Sequence, residues 1–176
     1  MGYQDNKIEE LVGSYPICAA CGSKKIVRDA WVKWNGVSRE WVLKSTFDTF
    51  GCDACGETTS PVWKLDKEFR TRRIQRLNDD ARFGLFRHGT IVITAGIRAF
   101  EDKLRAAVVA MAGDFDGFSE DNDPNGEHDF GSIEIAGHKI FWKIDYFDLD
   151  MKMHSPDPAN QNVTHRVLTI MLANEY

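Results

Sequence analysis

The stretch Cys18-Ala19-Ala20-Cys21-Gly22 has a counterpart in Cys52-Asp53-Ala54-Cys55-Gly56, and these two C-x2-C-G motifs contain all four cysteines of the chain. Two cysteines spaced in this way bind one side of a tetrahedral ion, and the glycine that follows allows the tight turn that directs backbone amides at the sulfurs. Four protein ligands leave no coordination position for water or a substrate. We therefore predict a structural zinc site with the ligands Cys18, Cys21, Cys52 and Cys55.

The same cysteines allow two other interpretations, a pair of disulfides or a redox-active C-x-x-C motif. The first residues, Met1-Gly2-Tyr3-Gln4-Asp5-Asn6, contain neither a basic start nor an apolar run. We therefore expect no signal peptide and a cytoplasmic location, where disulfides are rare. All five histidines follow Cys55, so none lies between the two motifs. The zinc site remains the favoured interpretation.

Composition limits the architecture to one ordinary domain and a small metal module, because the chain has 176 residues, of which 43% are hydrophobic and 28% are charged. No apolar stretch approaches the length that spans a membrane. The net charge of -5 is unevenly distributed: residues 1–77 carry 13 Lys and Arg against 10 Asp and Glu, whereas residues 78–176 carry 9 against 17. The first part is thus slightly basic and the second part acidic.

Residues between the two cysteine motifs have the alternation of an antiparallel β-hairpin. Positions 26, 28, 30, 32 and 34 alternate with positions 27, 29, 31 and 33 as the two faces of a strand, and Asn35-Gly36 is the commonest two-residue hairpin turn. A returning strand follows, and a third short strand is expected at Thr58–Trp63. The pattern predicts a zinc ribbon over residues 1–65, whose small sheet depends on the metal for its stability.

Four of the five tryptophans lie in this ribbon, at positions 31, 34, 41 and 63. We favour an arrangement in which these indoles pack against one another as a core. In the alternative, they form an exposed surface that stacks nucleic-acid bases while nearby cations neutralise phosphates. The cations are Lys24, Lys25, Arg28, Lys33, Arg39 and Lys44. A zinc ribbon by itself does not separate a protein partner from a nucleic-acid partner.

A basic helix is predicted over residues 66–88, linking the ribbon to a second domain. Asp66 is a suitable cap, and an apolar stripe continues from Ile74 to Leu85. The first half of this helix has the densest positive charge of the chain. The simpler and favoured interpretation is a solvated face that joins two domains, and the alternative is a contact with phosphates or with an acidic partner. The predicted contact residues are Arg70, Arg72, Arg73 and Arg76.

Residues 89–176 are predicted to form a small α+β domain, and the fold class of the whole chain is α+β. A β-branched run at 90–95, helical spacing from Phe100 to Met111 and a two-stranded hairpin over 131–147 give the first elements. The segment 163–173 is ambiguous, since its β-branched residues favour a strand whereas Asp157-Pro158 is a good helix opening. We predict a helix there.

A polar loop over residues 121–129 is the best candidate for chemistry in this domain. Its opening matches the D-x-D-x-N-G start of a calcium loop, but the twelfth position is Ser132 instead of glutamate, so we expect no calcium at Asp121–Glu127. A histidine beside carboxylates is able to serve as a general base or to bind a divalent ion for hydrolysis. No recognised catalytic pattern is completed, and the loop side chains equally suit bonds to their own backbone turns. The candidate catalytic residues are Glu127, His128, Asp129 and Asp145.

Several longer motifs occur between Arg73 and Tyr176. They are Leu77-Asn78-Asp79 with Arg82, Val92-Ile93-Thr94-Ala95-Gly96-Ile97, residues 122–131 (NDPNGEHDFG), residues 141–146 (FWKIDY), residues 155–159 (SPDPA) and residues 166–173 (RVLTIMLA). With these motifs the chain resembles a bacterial family, domain of unknown function 3768, which occurs in genomes and plasmids of bacteria rich in mobile elements. The family brings no established activity. A zinc ribbon in front of it resembles an accessory of other plasmid-borne proteins, and the resemblance implies interference with a host defence or with a DNA-handling complex.

Together these observations predict a zinc-binding, noncatalytic interaction protein that contacts a protein or a nucleic acid. The acidic second domain is also compatible with imitation of DNA, although its charge excess is moderate for that role. The alternative function is a hydrolase or nuclease that uses the acidic cluster of Glu127, His128, Asp129 and Asp145.

Overall fold

The computed structural model describes Ile8 and residues 11–176, and the chain forms two compact units, Met1–Asp66 and Lys67–Tyr176. The helices and strands, in chain order, are β1 (Ser14–Ile17), β2 (Ile26–Asn35), β3 (Glu40–Cys52), β4 (Val62–Leu65), α1 (Lys67–Arg82), β5 (Gly89–Ile93), α2 (Ala95–Arg98), α3 (Asp102–Gly113), β6 (Phe130–Ile135), β7 (His138–Phe147), β8 (His165–Leu172) and a 3-10 helix (Ala173–Glu175). The predicted α+β class is confirmed, with antiparallel strands beside the cysteines. Among the helices described, none combines the length and apolarity needed to cross a membrane.

Among its described residues, the first unit contains two antiparallel strand pairs. β2 and β3 form a long hairpin in which Trp34 lies opposite Trp41, and β1 pairs with β4. Strand β1 was not predicted from the sequence. The third strand begins at Val62, later than expected, while Thr58 forms only a single bridge to Gly51.

The predicted two-residue turn at Asn35-Gly36 is wrong, because β3 begins only at Glu40. The Oδ1 atom of Asn35 accepts hydrogen bonds from the amides of Val37 at 3.0 Å and Ser38 at 3.4 Å. The loop closes through the amide of Arg39, which donates to the Asn35 carbonyl at 2.8 Å, and Arg39 has φ of 55°. The Asn35 side chain therefore stabilises a longer loop through hydrogen bonds to its backbone amides, and no two-residue turn forms at Asn35-Gly36.

The tryptophans of the hairpin do not form a core, contrary to the favoured expectation. Trp31, Trp34 and Trp41 are 57%, 54% and 67% exposed. Within the described part of this unit, Cys18 and Cys52 are the only buried residues. The period-2 pattern was correct, but a two-stranded hairpin covers neither of its own faces.

The second unit has a four-stranded sheet of order β5-β8-β7-β6, in which β5 runs parallel to β8 and the other pairs are antiparallel. Its core contains side chains from β6, β7 and β8 packed against residues of α1, α2 and α3. These residues are Ala81, Ile97, Val108, Ala112, Ile133, Ile140, Trp142, Ile144, Leu168 and Ile170. Helix α1 is thus part of the packing of this unit.

Two secondary-structure predictions in this unit are wrong. The first helix ends at Arg82 and not near His88, because Gly84 has φ of 74° and its amide donates to the Ala81 carbonyl at 2.9 Å. The predicted helix over 163–173 is instead strand β8, which lies between β5 and β7. A central strand is buried on both faces, so its β-branched apolar run lacks the alternation expected of a half-exposed strand.

Candidate functional site

The four cysteine sulfurs form the tightest cluster of potential ligands, with all four Sγ atoms within 4.8 Å of one another. Sγ of Cys18 lies 3.8 Å from Sγ of Cys55, and Sγ of Cys21 lies 3.7 Å from Sγ of Cys52. Tetrahedral bonds of about 2.3 Å to one ion would separate the sulfurs by about 3.8 Å, whereas a disulfide requires about 2.05 Å. The cysteines are free and positioned to hold a metal ion.

The two cysteine motifs fold in the same way. The amide of Gly22 donates to the Cys18 carbonyl at 2.9 Å, and the amide of Gly56 donates to the Cys52 carbonyl at 2.8 Å. Both glycines have a left-handed backbone, with φ of 71° and 75°. A side chain at either position would be strained, which is the physical reason for the glycine in each motif.

The electrostatics of the cluster favour deprotonated sulfur at some positions and oppose it at others. The backbone amide of Cys21 lowers the pKa of Cys18 to about 6. The amide of Glu57 also acts to lower the pKa of Cys55, but burial and the other three sulfurs together raise it to about 12. A cation at the centre removes this mutual repulsion, so metal binding releases protons and weakens as the pH falls.

The β2–β3 hairpin carries two pairs of aromatic rings, Trp34 with Trp41 and Trp31 with Phe47. We call this hairpin the aromatic hairpin. Their ring centroids are 5.7 Å and 6.1 Å apart, respectively. Trp31 and Trp34 are an odd number of positions apart in one strand and therefore face opposite sides of the hairpin. Nζ of Lys44 lies 5.2 Å from the centroid of the Trp31 ring. The hairpin thus offers exposed rings on both faces and a cation beside one of them.

The four arginines predicted to contact a partner occupy different environments on α1. Arg70 forms an ion pair of 2.7 Å with the largely buried Asp157. Arg72 pairs with Glu68 at 2.6 Å, one turn away on the helix surface. Arg72 and Arg76 are exposed, whereas Arg73 is half-buried. The structure therefore places Arg72 and Arg76 on an accessible surface, while Arg70 connects two segments of the second unit.

His128, a catalytic candidate, is enclosed by a local polar network. Its Nδ1 atom lies 2.8 Å from Oδ1 of Asp79, and its Nε2 atom lies 2.7 Å from Nε2 of Gln75. The ring is stacked on Phe118 with the centroids 3.5 Å apart. The carboxylate of Asp123 accepts hydrogen bonds from the amides of Glu127 and His128. The loop therefore uses one of its carboxylates to bind its own backbone turn.

The remaining catalytic candidates are the carboxylates Glu127, Asp129 and Asp145. Asp145 forms an ion pair of 2.8 Å with Lys143. Burial and then the Asp129 carboxylate raise the pKa of Glu127. Burial and then Asp123 raise the pKa of Asp129, and the charge of Asp145 also acts to raise it. Glu127 and Asp129 are thus electrostatically coupled. In the part of the chain that the structure describes, only the cysteines bring three or more potential ligand atoms together, so these carboxylates form no comparable metal cluster.

Asn78 is fully buried, and no role was predicted for it from its position in the sequence. Its Nδ2 atom donates to the Glu127 carbonyl at 2.8 Å and to the Tyr146 hydroxyl at 2.6 Å, and its Oδ1 atom accepts from Nε of Arg166 at 3.0 Å. Burial raises the pKa of Tyr146 and lowers that of Arg166. One signal was available, because Asn78 lies on the apolar stripe of α1, between Ile74 and Ala81.

With this geometry established, the comparisons with known proteins concern only the second unit. Residues 93–175 match the model of a family described as "Protein of unknown function (DUF3768)". The match begins at the end of β5 and includes the polar loop over residues 121–129 and strands β6, β7 and β8. The predicted resemblance is thereby confirmed for this part of the chain, and the ribbon lies outside the matched residues. No curated protein and no solved structure matches the chain.

Proposed function

We propose that this chain is a zinc-binding, noncatalytic interaction protein whose aromatic hairpin contacts nucleic acid. The observation that carries the proposal is the exposure of Trp31, Trp34 and Trp41, each more than half accessible, on a hairpin whose two strands lead from one cysteine motif to the other. Exposed large apolar groups in one place mark an interaction surface.

Zinc is the metal that we assign to the cysteine cluster. Thiolates are soft ligands, and a tetrahedral set of four cysteines is typical of structural zinc sites. The sulfur separations of 3.7 Å and 3.8 Å suit this geometry. Because all four positions are filled by protein, the ion supports the fold and takes no part in a reaction.

Nucleic acid is favoured over a protein partner because rings and cations alternate along the hairpin. Residues 24–50 contain six Lys and Arg against three Asp and Glu. Lys33 shares a face with Trp31, and Lys44 lies beside the same ring. Rings stack bases of any sequence and cations neutralise phosphates, so single strands with accessible bases are the expected ligand class.

The test is binding of the zinc-loaded protein to labelled single-stranded DNA and RNA, followed by anisotropy at two salt concentrations. We expect the affinity to fall as salt rises. Trp34→Ala should weaken binding by about 5-fold to 150-fold, since stacking contributes about 1–3 kcal/mol per base. Val37→Ala is the matched control, because Val37 is 96% exposed in the same hairpin but has no ring.

Two outcomes would overturn the nucleic-acid assignment. One is the absence of binding to any single strand at low salt by protein that contains zinc. The other is capture of a protein through the same tryptophans without any affinity for nucleic acid, which would retain the interaction function and change the partner class.

The link to mobile elements rests on the family resemblance, and we keep it as part of the proposal. A protein that binds single-stranded nucleic acid would be suited to act on DNA that enters a cell, including interference with a host defence. Plasmid transfer into cells with and without the protein tests this role, with the Trp34→Ala variant as the comparison.

A second candidate function, hydrolysis, is supported by one observation, the raised pKa values of Glu127 and Asp129. A carboxyl group that stays protonated at higher pH is suited to act as a general acid. Incubation of nucleic acids with the protein and Mg²⁺ tests this function. Activity that is lost in Glu127→Gln but kept in the exposed control Glu134→Gln would support hydrolysis, and equal activity in both variants would refute it.

A further inference from the structure

The chain contains two Asn-Gly dipeptides, Asn35-Gly36 in the loop of the aromatic hairpin and Asn125-Gly126 in the polar loop of the second unit. Asparagine before glycine is the dipeptide most prone to spontaneous deamidation, because glycine has no side chain to hinder attack of its own nitrogen on the asparagine Cγ atom. The rate also depends on the local fold, and the two dipeptides lie in different environments. This difference decides which of them reacts.

Two backbone amides already contact the side-chain oxygen of Asn35. Its Oδ1 atom accepts hydrogen bonds from the amides of Val37 at 3.0 Å and Ser38 at 3.4 Å. When a nitrogen adds to Cγ, this oxygen becomes an oxyanion, and donors that are in place before the reaction lower the energy of the intermediate. The hydrogen bond from Val37 also closes a ring that contains both Cγ of Asn35 and the nitrogen of Gly36. The loop thus stabilises the intermediate and restricts the two reacting atoms to one ring.

The nitrogen of Gly36 is available for the attack. Gly36 is exposed, and a Cβ added to it would meet nothing within 4 Å. Within the described residues, the Gly36 amide donates no hydrogen bond to another residue. Water and hydroxide therefore have access to its proton, which must leave before the nitrogen attacks.

Asn125-Gly126 lacks both conditions, although Asn125 is exposed as well. The amide of Gly126 donates to the Asp123 carbonyl at 3.0 Å, so its proton is held by the protein. The amides two and three residues after Asn125 correspond to those of Val37 and Ser38. They belong to Glu127 and His128, and both donate to the Asp123 carboxylate instead. The fold therefore protects this second dipeptide.

We propose that Asn35 is a site of spontaneous deamidation, at which the nitrogen of Gly36 attacks the side-chain amide and water completes the reaction. The nitrogen loses its proton to a solvent base and forms a bond to Cγ, while the electron pair of the C=O bond moves to Oδ1. The Cγ–Nδ2 bond then breaks, and the departing nitrogen takes a proton from water and leaves as ammonia. One water molecule opens the resulting succinimide at either carbonyl and gives aspartate or isoaspartate. The net reaction consumes one water and releases one ammonia.

Deamidation changes the aromatic hairpin in two ways. The product carries a new negative charge, and because Asn35 pairs in register with Glu40, two carboxylates would then lie on opposite strands beside the loop. Isoaspartate also adds one methylene group to the main chain of a loop that the hydrogen bond from the Arg39 amide to the Asn35 carbonyl closes. The next pair along the hairpin is Trp34 with Trp41. Weaker binding to single-stranded nucleic acid is therefore expected, and this consequence alone rests on the proposed function.

The experiment is peptide mass spectrometry of the zinc-loaded full chain during incubation at neutral and mildly alkaline pH. In the folded protein, Asn35 should react at least about tenfold faster than Asn125, which is less than the factor of about 10²–10³ that one oxyanion donor contributes in an enzyme. In concentrated urea the two dipeptides should react at similar rates, with Asn35 slower and Asn125 faster than in the folded protein. The rate at Asn35 should rise with pH, because the Gly36 nitrogen must lose its proton.

Gly36→Ala should slow the reaction at Asn35 by about tenfold or more, because the added methyl group hinders the attack while nothing within 4 Å opposes it in the fold. Ser38→Ala is the control, since it keeps the backbone amide that donates to Oδ1 of Asn35. Equal rates at Asn35 and Asn125 in the folded protein would overturn the proposal, and so would a rate at Asn35 that unfolding does not lower. Deamidated protein that binds single strands with unchanged affinity would contradict only the proposed nucleic-acid function.

Discussion

Removal of the metal is expected to unfold the first unit and to leave the second unit folded. In the first unit, as far as it is described, only Cys18 and Cys52 are buried, and both are proposed ligands. The second unit has an apolar core that includes the fully buried Trp142. Structural zinc contributes about 10–16 kcal/mol to the folding of small zinc modules. Because whole domains are stable by only about 5–15 kcal/mol, the ribbon should not remain folded without its ion.

The assay combines metal analysis, thermal unfolding and NMR of the reduced protein. We expect one zinc ion per chain and two unfolding transitions, of which a chelator abolishes one. Cys52→Ser should have the same effect, because it removes one of the four ligands. Ser38→Ala, at an exposed loop position of the same hairpin, should keep the metal and both transitions. The indole signal of Trp142 should be unchanged in every case.

Two results would refute this reasoning. If slowly exchanging amides persist in β2 and β3 after chelation, then the hairpin has a source of stability other than the metal. If clean, reduced protein contains no stoichiometric zinc yet shows both transitions, then the sulfur cluster is not the site that we assign.

Three further predictions concern the second unit. Asn78→Ala should lower the free energy of unfolding of this unit by about 2–4 kcal/mol in urea, because the Arg166 guanidinium and the Tyr146 hydroxyl lose their hydrogen bonds to Asn78. An unchanged urea midpoint would contradict the buried network. Gly131→Ala should destabilise by about 1–3 kcal/mol, since an added Cβ would lie 2.5 Å from the ring of Trp142. Gly36→Ala, which meets nothing within 4 Å, is its control, and equal effects of the two changes would argue against the close approach. The pKa of Glu127 is raised in the folded state, so the folded state binds more protons than the unfolded state. The free energy of unfolding should therefore fall as the pH rises from the unfolded pKa of about 4.3 through the pKa of the folded state. Glu127→Gln should flatten this decline in urea midpoints measured from pH 4 to 7, and an identical slope in both proteins would exclude the carboxyl group as its source.

The metal cluster and the α+β class could be predicted because both depend on local spacing. A pair of cysteines two residues apart and a following glycine specify their own turn, and two such turns require only one ion to meet. The alternation from Ile26 to Trp34 likewise specified a strand. It did not specify burial, since the same alternation suits a packed strand and a hairpin exposed on both faces. The tryptophans were therefore placed in a core that the first unit does not have.

The polar cluster and the C-terminal strand were missed because they depend on partners distant in sequence. Asn78 is satisfied by groups from β7 and β8, so its environment exists only after the sheet has formed. The same sheet decides the segment 163–173, because a central position between β5 and β7 outweighs the helix opening at Asp157-Pro158. The helix forecast failed for one further reason: Asp157 does not cap a helix but forms an ion pair with Arg70, and its Oδ1 accepts from the Ala159 amide at 3.2 Å. Sequence patterns thus predicted the structure where residues close in sequence satisfy one another's polar groups. They failed where the partners come from distant parts of the sequence.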